Sequence, residues 1–100
     1  MNIPKKVKVG GLIYDILEVN HALCVNRQEV KGRIEYDFNK ISIRNDIQSR
    51  QGMEQTFLHE LVHAMAKERG LDWGDDDELY TEEIAKSLHQ VIKDNPDMFK

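Results

Sequence analysis

The stretch Leu58-His59-Glu60-Leu61-Val62-His63-Ala64-Met65-Ala66-Lys67-Glu68-Arg69-Gly70 marks where the chain changes from the period of a strand to that of a helix. Leu58, Leu61, Val62 and Met65 fall at i, i+3, i+4 and i+7, which stacks them on one helical face and predicts that all four anchor it in the core. Glu54, Ala64, Ala66 and Lys67 are good helix formers, and Gly70 suits the left-handed cap of a helix end. The expected helix covers residues 50–69.

Upstream the pattern is extended. Lys5-Lys6-Val7-Lys8-Val9 alternates, Gly10-Gly11 tolerates positive φ, and Leu12 to Val19 resumes the alternation, which predicts a hairpin. Arg33-Ile34-Glu35-Tyr36, a polar turn near Asp37-Phe38-Asn39-Lys40, and Ile41-Ser42-Ile43-Arg44 predict a second one with one buried face. Asn20 to Gly32 fits a loop or a short strand at Leu23-Cys24-Val25. Downstream, Leu71 to Asp77 is a connector, and a second helix is expected from Glu78 to Lys93, stopped by Asn95-Pro96. Ile84, Ala85, Leu88, Val91 and Ile92 would form its inward face. A small, antiparallel-rich N-terminal sheet followed by two helices is an α+β fold, and 100 residues without an internal linker make one domain, 1–100.

Composition narrows the function classes. No apolar run approaches the ~20 residues of a membrane span, and the start Met1-Asn2-Ile3-Pro4-Lys5-Lys6 lacks the apolar stretch of a secretory signal, so a cytoplasmic location is expected. Cys24 is the single cysteine: it excludes an internal disulfide and a thiolate cluster, and reads as a small hydrophobe. Residues 1–50 hold nine basic and six acidic side chains, residues 51–100 five and twelve. The mildly basic half carries no nucleic-acid motif, so no nucleic-acid partner is expected.

His59-Glu60-Leu61-Val62-His63 is the chemical signal. Histidines at i and i+4 project from one helical face, where both imidazoles can reach one Zn²⁺, and Glu60 points to the adjacent side, where it can hold a water. Zinc acidifies water and polarises a carbonyl, and the carboxylate takes the proton and passes it to a leaving amine. The chemistry is peptide-bond hydrolysis, with Glu60 as general base. Chance places this motif in a chain of this length on the order of a few times per thousand sequences.

A catalytic zinc takes a third protein ligand and keeps one position open. The run after His63 holds no further histidine at a ligand spacing, so Glu78, Glu82 and Glu83 compete. If Asp77 caps the second helix, Glu78 falls on or beside the inward face, Glu82 on an adjacent stripe, and Glu83 outward. If Thr81 is the cap, Glu82 and Glu83 become first-turn partners of the helix dipole and Glu78 stays in the loop.

His59 to Ala64, then Glu78-Leu79-Tyr80-Thr81-Glu82-Glu83-Ile84-Ala85 and Leu88 to Asn95, resemble the small phage- and prophage-encoded zincins related to the ImmA/IrrE metallopeptidases. The resemblance covers nearly the whole chain, including the strands around Gly32 to Asp37 and Ile41 to Ile43. It implies a minimal gluzincin in which the ligand glutamate stands three residues before a small or β-branched residue and six before an apolar-Ala pair. Those positions are Glu78, Thr81 and Ile84-Ala85, so the resemblance favours Glu78, with Glu82 as the alternative. It also implies a repressor-like protein as substrate.

The expectation is therefore a zinc-dependent endopeptidase, monomeric by default, acting on a protein or peptide. It would use His59, His63 and Glu78 as ligands and Glu60 as base, with a strand edge near the cleft receiving extended substrate. The rival is a zinc-stabilised module of phage origin that sequesters a regulator. Tyr36, on a strand beside the cleft, and Tyr80, near the ligand carboxylate in sequence, are candidate oxyanion donors but expected to be packing residues, with His21 and His89 surface or rim residues and Trp73 an anchor on the domain.

Overall fold

The structure, a computed structural model, describes residues 1–99. Six strands precede two helices in an α+β arrangement: β1 (Lys6–Val9), β2 (Leu12–Val19), β3 (Leu23–Val25), β4 (Gln28–Val30), β5 (Gly32–Glu35), β6 (Lys40–Arg44), α1 (Arg50–Arg69) and α2 (Asp77–Asp94). Four strands form one sheet in the order β1-β2-β6-β5, and β3 and β4 pair separately. Both expected hairpins form: β1 pairs antiparallel with β2, and β5 with β6. The two hairpins join through a parallel β2–β6 pairing, so the sheet is mixed and β5 is left at one edge. The ambiguous segment resolves into the β3–β4 hairpin, turned at Asn26 (φ 52°) and Arg27 (φ 66°), the pair of positive φ angles that a two-residue hairpin turn takes.

Helix α1 lies between the sheet and α2. Ser49 caps its start by accepting a hydrogen bond from the Gly52 amide, and Gly70 (φ 67°) closes its end while the Leu71 amide bonds back to the Ala66 carbonyl. Because α1 is covered on two sides, its buried residues are not a single stripe: Met53, Phe57, Leu58, Val62, Ala64 and Ala66 are buried, with Ile41 and Ile43 of β6, Tyr14 and Ile16 beneath. Met65, expected inside with Leu58 and Val62, is instead 38% exposed.

Helix α2 begins at Asp77, with Asp76 at the cap position and no side-chain cap bond, so neither Asp77 nor Thr81 is the cap. Its inward face is Thr81, Ala85 and His89, flanked by the half-buried Leu88 and Ile92. Ile84 and Val91, expected on that face, are exposed, because small residues let α2 lie close to α1 and the wider apolar residues fall to the sides. His89 is a correction in the other direction: expected at the surface, it is buried against Glu54. Cys24, read as a small hydrophobe, is exposed on β3, whereas His21 is exposed as expected and Trp73 packs against the core.

Candidate metal centre

His59 and His63 leave α1 one turn apart, with ring centroids 4.9 Å from each other in an edge-on arrangement. Their Nε2 atoms converge on one carboxylate of α2: His59 Nε2 is 3.0 Å from Glu78 Oε2, and His63 Nε2 is 2.8 Å from Glu78 Oε1. Antiparallel packing of the two helices brings this about, since the first turn of α2 runs alongside the middle of α1. Glu78 is thus in the helix rather than the loop, and of the three competing carboxylates it is the one facing both Nε2 atoms. Glu82 lies instead 3.1 Å from His59 Nδ1, Asp77 lies 3.6 Å from His63 Nδ1, and Glu83 is exposed.

Each imidazole is consequently flanked by carboxylates, one at Nε2 and one at Nδ1. An acidic neighbour on the Nδ1 side favours a ring that carries its proton there and presents the Nε2 lone pair to a metal. One ligand atom from each of His59, His63 and Glu78 lies within 4.8 Å of the others. Two imidazole nitrogens and a carboxylate oxygen are a donor set that suits zinc, and the surrounding acidic groups favour a divalent cation. The residues present therefore fit the ion that the motif implies.

These side chains line a groove of roughly 750 Å³ between α1, the start of α2, the edge strand β5 and the β3–β4 hairpin. Gly32 on β5 lets the strand approach α1, since a Cβ there would run into Thr56 Cγ2 and stand 3.5 Å from Glu60 Cγ. Glu60 is only 7% exposed. Burial pushes its carboxyl up to about 7; neighbouring His59 opposes the shift, and Glu78 adds to it.

Tyr36 follows β5 in a short 3-10 turn and also lines the groove, with Lys67 Nζ 4.7 Å from its ring centroid. Burial, followed by the charges of Glu60, Tyr14, Asp77 and Glu78, pushes its hydroxyl up to about 12, so it remains an O–H donor at neutral pH. The sequence offers Tyr36 as an oxyanion-donor candidate beside the cleft but favours packing; its place just after β5 brings it to the groove. Tyr80 points elsewhere, stacking edge-on against Trp73 at 5.8 Å. Comparison with protein-family models, curated proteins and solved structures found no match. No helix among the described residues is long and apolar enough to cross a membrane.

Proposed function

We propose that the chain is a zinc-dependent metallopeptidase of minimal gluzincin type, resembling the ImmA/IrrE enzymes and acting in the cytoplasm on a protein or peptide. The observation that carries the reading is the convergence of His59 Nε2, His63 Nε2 and the Glu78 carboxylate beside a buried carboxylate, Glu60, at the floor of one groove. The Glu78 side chain is 74% exposed, which favours an open, catalytic position over the closed sphere of a structural zinc. A metal-stabilised module that sequesters a regulator has no comparable need for Glu60.

His59, His63 and Glu78 would hold a zinc ion, which when bound would supply a Lewis acid and acidify water toward neutrality. Glu60 takes the proton of the attacking water and delivers it to the departing amine. The Tyr36 hydroxyl donates a hydrogen bond to the carbonyl oxygen as charge develops there. The free edge of β5 receives the substrate as an added strand, and water is displaced from the groove as it binds. A repressor-like regulator is the substrate class proposed.

The test is metal content by mass spectrometry on untagged protein purified without chelator, alongside H63A, E78A and E60Q. About one zinc in the parent, marked loss in H63A and E78A, and retained zinc with abolished peptide hydrolysis in E60Q are expected. Undiminished hydrolysis by E60Q, or a parent without zinc after reconstitution, would overturn the reading.

A further inference from the structure

One pair of titratable side chains is buried between the helices away from the groove. His89 on α2 is 5% exposed, and its Nε2 lies 2.9 Å from Oε1 of Glu54 on α1, itself 9% exposed. The other ring nitrogen, Nδ1, stands 3.5 Å from the Gln55 amide nitrogen. Taking two ionisable groups out of water returns little net stability, and the best-attested use of such pairs is to specify register.

Between this pair and the metal-site end, the middle of the interface contributes no directional side-chain contact among the described residues. Thr81 and Ala85, both buried, occupy the middle of the inward face of α2, and the Thr81 hydroxyl has no hydrogen-bond partner. Among the described residues, polar side-chain contacts between α1 and α2 fall in two groups. Asp77, Glu78 and Glu82 meet His59 and His63 at one end, and His89 meets Glu54 and Gln55 at the other. Glu78 and His89 are eleven residues apart, which is three helical turns and about 16 Å, so they share one stripe of α2. Small apolar contacts between them permit sliding and rotation, whereas a hydrogen bond at the far end of the same stripe does not.

Resting on the metal-site reading above, we infer that the Glu54–His89 pair is a positioning device for that site. It sets the register of α2 along α1 and so holds Glu78 at the Nε2 atoms of His59 and His63. Neither residue touches the metal or the groove; both act through the helix that carries the ligand.

The experiment measures zinc affinity by competition with a chromophoric chelator, and the visible spectrum of the cobalt-loaded full chain. The variants are H89L, H89Q and a core control away from the helix pair, I16V. H89L is expected to bind zinc 10–100-fold more weakly and to alter the cobalt spectrum, on the scale of other groups that orient ligands from outside the coordination sphere. H89Q, whose amide can still donate to Glu54, recovers most of the affinity. I16V lowers the melting temperature in chelator without changing either metal readout. H89N, too short to reach Glu54, replaces H89L in the comparison if H89L does not fold. Parent-like affinity and spectrum in the variant that loses the Glu54 contact, or an equal loss in I16V, would overturn the positioning role while leaving the metal site standing. A parent that takes up neither ion overturns the metal reading and this inference together.

Discussion

His59 Nδ1 stands 3.1 Å from Oε2 of Glu82, while the Nε2 of the same ring faces Glu78. The two carboxylates are one helical turn apart on α2, so in the proposed metal site a single helix face would both supply the third ligand and aim the first histidine. Removing the orienting partner leaves the ligands present but freer to rotate. E82A is therefore expected to weaken zinc affinity roughly 10–100-fold, less than E78A does. Chelator competition measures both, and equal affinity in E82A and parent would show that the Glu82 contact does not orient the ring.

The buried carboxyl of Glu60 makes the metal-free protein sensitive to pH. Its folded-state pKa is pushed up to about 7, above the ordinary carboxylate value, so folding favours the protonated form. The contribution to stability is full below the unfolded value near 4.5 and is lost as pH rises through about 7. The size of the loss is on the order of 3 kcal/mol. Urea midpoints of chelator-treated protein should fall between these pH values more steeply in the parent than in E60Q. Superimposable profiles would contradict the assigned burial.

Gly32 is required by a close approach. An added Cβ would collide with Thr56 Cγ2 and stand 3.3 Å from the Ser42 carbonyl oxygen, so G32A must push β5 away from α1 or move Thr56. Overpacking of this kind costs typically about 1–3 kcal/mol. T56S removes the obstructing methyl and keeps the hydroxyl that bonds Gln48, so the G32A/T56S double variant should recover much of the loss. Denaturant unfolding of the four proteins in this cycle checks it, and strictly additive losses would disprove the clash.

Thr81 is fully buried with an unpaired hydroxyl. Burying a polar group without a partner costs about 1–3 kcal/mol, and valine has nearly the same shape without the hydroxyl. T81V is expected to raise the melting temperature by several degrees, at ~4–8 °C per kcal/mol for a chain of this size, and to leave zinc affinity unchanged. A lower melting temperature would mean the hydroxyl has a partner in solution.

Local signals in the chain carry much of this architecture. Gly70 closes α1 at the residue expected and the helix keeps its expected bounds, because capping is a contact within one turn. Gly10-Gly11 and the alternation around Ile41 specify both hairpins, because strand period and turn chemistry are properties of adjacent residues. The spacing of His59, Glu60 and His63 likewise places two imidazoles on one face of any helix that contains them.

The chain alone thus determined the α+β order of its elements, the bounds of α1 and two of the three groups that converge in the candidate metal site. Local reading orders the three carboxylates near the start of α2 only through an assumed cap, with Glu78 favoured by resemblance, and antiparallel docking of α2 on α1 is what turns Glu78 to both Nε2 atoms and Glu82 to Nδ1. The burial of His89, the exposure of Met65 and Ile84, and the arrival of Tyr36 in the groove are decided the same way. A helix enclosed by a sheet on one side and a second helix on the other has no single inward stripe. The sides that become interior depend on partners distant in sequence, and periodicity within one segment does not encode them.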